Sequence, residues 1–74
     1  MLIKIKPEKL TVKHESFTKA EENTFEQVII TLGQTYSDHI RLNFHEKTTD
    51  IIGRPDYLFF TLYILSQNYD IEIM

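Results

Sequence analysis

Residues 39–46 read His-Ile-Arg-Leu-Asn-Phe-His-Glu, and this stretch decides the fold class. Ile40, Leu42 and Phe44 fall on one side of an extended chain, because side chains of a β-strand alternate between its two faces. The polar residues between them fall on the other side. The pattern predicts a strand with one face against a core and the other in water.

The segment before this strand has two interpretations. Its run of four β-branched residues, 28–31, favours a strand over residues 25–32, with residues 33–38 as the turn of a hairpin. Helical spacing is present in the same segment, at Phe25, Val28, Ile29 and Leu32. Gly33 would then cap a helix. We expect the strand, with the helix as the alternative.

Three further segments alternate between apolar and polar residues. Residues 2–6 and 10–17 are candidate strands, and Pro7 between them forces a break or an edge. Residues 70–74 predict a short C-terminal strand. The order in which these strands pair cannot be read from the pattern.

A helix is predicted over residues 55–67. Pro55 suits the first helical turn, Asp56 suits the positive end of the helix dipole, and Asn68 suits a left-handed cap. A strand over residues 58–65 is less favoured, because few of these residues are β-branched.

Length and composition limit the architecture further. The 74 residues include 8 Lys and Arg, 11 Asp and Glu, and no cysteine. We expect a single small α+β domain over residues 1–74, with an antiparallel sheet of four or five strands covered on one face by the single helix. Without cysteine there is no disulfide or thiolate chemistry, and no apolar run approaches the ~20 residues of a membrane span. We expect a cytoplasmic protein that does not associate with membranes.

Histidines are the usual candidates for metal or acid–base chemistry. On one strand His39 and His45 would lie about 20 Å apart, too far for one metal ion. The adjacent pairs His14-Glu15 and His45-Glu46 point to opposite faces of a strand. We therefore expect no metal site, no cofactor and no enzymatic activity.

The predicted helix is apolar around most of its circumference. Successive residues lie 100° apart, and even the arc opposite the expected core, with Asp56, Phe60, Tyr63 and Gln67, carries two aromatic residues. Phe59 falls at the limit of the core arc. Since one sheet covers one side of a helix, we predict a protein interface at Asp56, Tyr57, Phe60, Tyr63 and Ile64. The simplest form is a homodimer, and ordinary exposed aromatics are the alternative.

Charge is unevenly distributed along the chain. Residues 1–19 hold five Lys and two Glu, a net +3, and residues 20–74 hold three basic and nine acidic residues, a net −6. Lys4 and Lys6 share one strand face and, with Lys9 and Lys13, are candidate nucleic-acid contacts. An acidic surface that meets a basic partner is predicted at Glu21, Glu22, Glu26 and Asp38.

These observations favour a non-enzymatic protein that binds another protein. Brevity, acidity and the lack of a catalytic motif are typical of small inhibitors and accessory proteins of phages and mobile elements, although no motif carries that likeness. Nucleic-acid binding through the N-terminal lysines is the alternative function.

Overall fold

The computed structural model describes residues 1–73, which form five strands and two helices. The elements are β1 (Leu2–Lys6), β2 (Lys9–Lys13), α1 (Lys19–Thr35), β3 (Ile40–Phe44), β4 (Thr48–Gly53), α2 (Pro55–Asn68) and β5 (Glu72–Ile73). The predicted α+β class is confirmed. Met74, the last residue of the predicted C-terminal strand, lies outside the described residues.

All strands form one sheet in the order β3-β4-β2-β1-β5. Neighbouring strands are antiparallel except β1 and β5, which are parallel. The prediction of a purely antiparallel sheet is wrong at this pair. The chain leaves α2 beside the N-terminus, where the Met1 ammonium donates to the main-chain oxygen of Asp70 at 2.9 Å. β5 therefore begins beside the first residues of β1, and from there it runs in the same direction as β1.

The segment 25–32 is helical and belongs to α1, so the strand expected there, with its turn over residues 33–38, is wrong and the helical alternative is correct. α1 continues past Gly33, which therefore lies inside the helix and does not cap it. Thr18 begins the helix with a capping box, in which its hydroxyl accepts from Glu21 N and its own N–H donates to the Glu21 carboxylate. Thr31, the last residue of the β-branched run, fits within the helix because its hydroxyl donates to the main-chain carbonyl of Gln27 at 2.8 Å.

Both helices pack on the same face of the sheet. One core contains Ile3, Leu10, Val12, Ile40 and Ile51 from the strands, Phe25 and Ile29 from α1, and Leu58 and Leu65 from α2. The prediction of a single covering helix is therefore corrected to two. Within residues 1–73 no helix packs on the opposite face, which remains open to solvent.

Several predicted boundaries also change. β3 is shorter than the predicted strand over 39–46, and β2 ends at Lys13 rather than continuing to residue 17. α2 begins at Pro55 as predicted and runs through Asn68, whose side chain donates to the carbonyl of Ile64 at 2.9 Å instead of forming a left-handed cap. Within residues 1–73, neither helix is long and apolar enough to cross a membrane.

Candidate functional site

α2 has three sides, and each one meets a different environment. Leu58, Thr61 and Leu65 are buried against the sheet. Tyr57 and Phe60 face the C-terminal end of α1, where both rings contact its C-cap residue Tyr36, with centroid distances of 5.7 and 5.6 Å. The third side faces away from α1, toward the edge strands β1 and β5.

The predicted interface residues divide between these sides. Tyr57 is half-buried and stacks on His39 at 4.4 Å, so it contributes to internal packing. Phe60 keeps 41% of its surface exposed beside Tyr36, and Ile64 is half-buried. Tyr63 is 62% exposed. Asp56 is also exposed, with Oδ1 3.6 Å from the Arg54 Nε.

Phe59 differs most from its predicted environment. The sequence predicts it at the limit of the core arc, but it is 63% exposed, because Tyr57 and Phe60, and not Phe59, make the contacts of α2 with Tyr36. Together with its neighbours it forms a surface that we call the apolar strip. The apolar strip consists of Ile5, Phe59, Leu62, Tyr63 and Ile73.

Two adjoining grooves give the apolar strip its shape. The first, of about 310 Å³, lies between α2 and the end of β1 and is lined by Ile5, Pro55 and Leu58 among others. The second, of about 330 Å³, lies between α2 and β5 and includes Tyr63 and Ile73. Phe59 and Leu62 line both grooves. An apolar surface therefore extends along α2 and the edge of the sheet.

The open face of the sheet is polar and mainly cationic. Alternation of side chains along the paired strands places five of the 8 basic residues there: Lys4, Lys6, Lys9, Lys13 and Arg41. Asp50 and Glu72 are the acidic residues on the same face. The sequence pattern predicted a shared face for Lys4 and Lys6, and the strand register places Lys9 and Lys13 on that face as well.

Asp50 is the centre of a polar cluster on this face. Its carboxylate accepts from the Thr11 hydroxyl at 2.9 Å and lies 3.5 Å from the Lys9 Nζ and 3.3 Å from the His45 Nε2. Burial would raise the pKa of Asp50, but the Thr11 and His45 hydrogen bonds and the Lys9 charge outweigh it and lower the pKa. Asp50 therefore stays ionised and holds β2 and β4 together.

A second polar arrangement is centred on His14. The sequence analysis considered His14 only with its neighbour Glu15 and did not predict this arrangement. The His14 ring Nε2 lies 3.1 Å from the Thr49 hydroxyl, and its Nδ1 lies 3.1 Å from the Glu22 carboxylate. Acid, imidazole and hydroxyl occur in this order in nucleophilic triads. Thr49 is completely buried and His14 is 4% exposed, so a substrate has no access to the hydroxyl. The contacts instead connect α1 to the sheet.

The predicted acidic residues do not form one surface. Glu21 takes part in the capping box, and Glu22 contacts His14. Glu26 is exposed further along α1, and Asp38 lies beyond the C-terminal end of the helix. A helix of 17 residues is about 25 Å long, which separates Asp38 from the first turn.

No group of three histidine, cysteine, aspartate or glutamate side chains within residues 1–73 is arranged to hold a metal ion.

Comparison with known proteins adds no relative, since no family model, no curated protein and no solved structure matches the chain. The site is therefore interpreted from its geometry alone.

Sequence reasoning missed Ile5, Phe59 and Ile73 as members of the candidate site. The alternation of residues 2–6 and 70–73 placed both isoleucines on the core face. This alternation does not show that Ile5 and Ile73 lie near an edge of the sheet, where the helices cover the core face incompletely. His14 had a usable signal, because it follows Leu10 and Val12 at strand spacing and so points to the same face.

Proposed function

We propose that this protein is a non-enzymatic binding protein that acts by occupying a surface of another protein with its apolar strip. The observation that carries the proposal is the exposure of large apolar side chains next to one another. Phe59, Tyr63 and Ile73 are 62 to 63% exposed around the second groove, which all three line. Single exposed apolar residues are common, but a contiguous apolar patch is typical of interaction sites.

The types of residue also support a protein partner. Aromatic side chains contribute much of the binding energy at protein interfaces, because they bury a large area with few rotatable bonds. Phe59 and Tyr63 lie one helical turn apart on the same side of α2, and Leu62 fills the space between the grooves. The strip lies on a helix and on edge strands, so little of it needs to be ordered on binding.

Binding without catalysis is the simplest function for these groups. The His14 arrangement is enclosed, and the Asp50 cluster is occupied by its own cross-strand contacts. An inhibitor or accessory protein needs only a complementary surface. This role is the one that we propose.

The test is affinity capture from a lysate of the source cell at low and high salt, with three baits. They are the unmutated chain, the strip variant Phe59→Glu/Tyr63→Glu, and the control Gln27→Glu/Gln34→Glu on the exposed face of α1. We expect one partner to bind the unmutated chain and the control, to persist at high salt, and to be lost with the strip variant. Equal recovery with all three baits, or no recovery at low salt, would contradict the proposal.

Nucleic-acid binding is the second candidate function, and the cationic open face favours it. Register places Lys6 opposite Lys9, and Arg41 follows in the same row beyond Ile52. Three cations in one row would contact a phosphate backbone. The open face carries no aromatic residue within the described strands, so stacking with single-stranded bases is not expected.

A gel-shift series across salt concentrations tests this second function. Lys4→Ala/Lys6→Ala should lower the salt slope of duplex binding by up to about two. Absence of binding at micromolar protein in about 50 mM salt would exclude it.

A further inference from the structure

β3 is the edge strand on the far side of the sheet from β5, four strand spacings or about 19 Å away. His45 N donates to Thr48 O at 2.9 Å across the β3–β4 hairpin, so the odd-numbered residues of β3 direct their main-chain groups toward β4. The N–H and C=O of Leu42 and Phe44 therefore point away from the sheet. Among the described residues, no strand pairs with this side of β3.

Apolar side chains accompany this main chain. Leu42 and Phe44 share the helix-covered face of the sheet, and Phe44 is 48% exposed there. A Cβ on Gly33 would lie 2.8 Å from the Leu42 Cδ1, so α1 passes directly over Leu42. Ile30 lies one turn before Gly33 on the same side of α1 and is 39% exposed. Ile30, Leu42 and Phe44 form an apolar edge that is separate from the apolar strip.

Hydrogen bonds within the chain limit how another strand can pair with β3. Ile40 N also points outward, but it donates to Tyr36 O at 2.9 Å at the end of α1. A pairing strand therefore meets two residues whose main-chain donors have no other acceptor in the described part of the chain, Leu42 and Phe44. An antiparallel second copy satisfies both when the twofold axis passes Asn43, because Leu42 of each copy then pairs with Phe44 of the other.

The side chains match in the same register. On the helix-covered face, Leu42 of each copy lies opposite Phe44 of the other, so two exposed phenyl rings gain apolar neighbours. On the open face, Asn43 meets its own symmetry mate and Arg41 lies opposite His45 of the other copy. No two Lys, Arg, Asp or Glu side chains of like charge lie directly opposite each other. The sequence of β3 is therefore its own complement.

We propose that two copies of this protein pair through β3 about a twofold axis at Asn43, which joins their two five-stranded sheets into one. This inference goes beyond the proposed function and uses a different surface. A pair of five-residue strands is only marginally stable in water, so we expect the pairing at about millimolar concentration. A disulfide across the axis measures it best, because the disulfide traps a pair that is weakly populated.

The test uses single cysteines, since the chain has none of its own. In the proposed register the two Cα atoms at position 43 form a non-hydrogen-bonded pair about 4.5 Å apart, within the range of a disulfide. In oxidised glutathione, Asn43→Cys should form a linked dimer about tenfold faster than Arg41→Cys, whose two positions lie about 14 Å apart. A mixture of Arg41→Cys and His45→Cys should give the mixed disulfide in preference to either homodimer.

Two double variants identify the surface responsible. Asn43→Cys/Phe44→Glu should cross-link about tenfold more slowly than Asn43→Cys, because each carboxylate would be buried against Leu42 of the other copy. Asn43→Cys/Tyr63→Glu makes the same change in charge on the apolar strip and should cross-link at an unchanged rate. Phe44 and Tyr63 are both exposed, and thermal midpoints check that both variants remain folded.

Three results would overturn the pairing through β3. They are equal cross-linking rates for Asn43→Cys and Arg41→Cys, an unchanged rate with Phe44→Glu, and a rate that Tyr63→Glu lowers instead, which would assign the contact to α2. If Phe44→Glu does not fold, the mixture of the cysteines at positions 41 and 45 decides the register without it. Partner capture through the apolar strip is independent of each of these results.

Discussion

Tyr69 shows how a single residue can limit the stability of this fold. Its hydroxyl is buried and has no hydrogen-bond partner within residues 1–73, while its ring stacks on Phe17 at 5.6 Å. A buried hydroxyl without a partner loses its hydration and gains nothing in return. We expect Tyr69→Phe to raise the free energy of unfolding by about 1 kcal/mol in urea denaturation. The exposed control Tyr63→Phe should change it little, and a destabilised Tyr69→Phe would show that the hydroxyl has a partner in solution.

The same residue predicts a loss of stability in alkali. Burial, with a contribution from the charge of Glu21, raises the pKa of Tyr69 above its ordinary value of 10.0. Ionisation therefore favours the unfolded chain, so stability is retained below pH 10 and falls as the pH rises through the pKa of the folded protein. Tyr69→Phe should lack this part of the alkaline loss.

Asp50 predicts the opposite dependence on pH. Burial acts to raise the pKa of Asp50, but the Thr11 and His45 hydrogen bonds and the Lys9 charge lower it below 3.8 in the fold. The ionised group stabilises the fold above that value, and this stabilisation is lost as the pH falls through the pKa of the folded protein. We expect Asp50→Asn to cost about 1–2 kcal/mol at pH 7 and much less at pH 3. An equal cost at both pH values would contradict this account of the cluster.

At the scale of elements, the two glycines determine how closely neighbouring elements approach. A Cβ on Gly53 would lie 2.5 Å from the main-chain oxygen of His39, which directly precedes the strand β3 that pairs with β4. A Cβ on Gly33 would meet the Leu42 Cδ1 at 2.8 Å, but that methyl group belongs to a side chain that can rotate. We expect Gly53→Ala to destabilise the protein by about 3 kcal/mol.

Gly33→Ala is the matched comparison. Alanine favours the helix by about 1 kcal/mol over glycine, which offsets the displacement of Leu42. The thermal midpoint of Gly33→Ala should therefore remain close to that of the unmutated chain, whereas the thermal midpoint of Gly53→Ala should fall clearly. Similar midpoints for the two variants would show that β3 and β4 can separate at little cost.

The elements also show what local sequence can predict here. Alternation identified β1, β2, β3 and β5, and Pro55 marked the start of α2, because these signals act over a few residues. No strand was predicted over β4, because Thr48–Gly53 does not alternate between apolar and polar residues. The segment 25–32 carried both a β-branched run and helical spacing, and propensity favoured the wrong one. The capping pattern Thr18-x-x-Glu21 was the local signal for the helix. Strand order and the parallel β1–β5 pair depend on where α2 returns the chain, which no local pattern encodes.

At the scale of the whole molecule, the candidate site follows from the placement of α1. The helical wheel of α2 correctly indicated more apolar surface than one sheet can cover. It did not indicate a second helix, whose C-cap residue Tyr36 packs against the side of α2 that carries Tyr57 and Phe60. The surface left uncovered is therefore the opposite side, with Phe59 and Tyr63. Residue types predicted excess apolar surface on this helix, and the packing of the helices determines which residues remain exposed.

Self-association through α2 remains a prediction, with a second copy as a competitor for the apolar strip. Burial of exposed aromatic surface would stabilise a dimer of so small a domain. We expect sedimentation equilibrium to show a weak dimer at high micromolar concentration, and Tyr63→Glu to shift it to monomer without a large loss of thermal stability. Phe60→Glu is less informative, because Phe60 also contacts Tyr36 within the chain. A monomer at all concentrations would leave the strip to a different partner.

The most direct test of the central claim is photo-cross-linking from single positions in a lysate of the source cell. A benzophenone amino acid replaces Phe59 or Tyr63 on the apolar strip, Gln34 on α1, or Asn43 on the open sheet face. We expect one heterologous protein adduct of the same mass from positions 59 and 63, and none from positions 34 and 43. Equal adducts from all four positions, or a strip adduct with only a second copy of this chain, would contradict it.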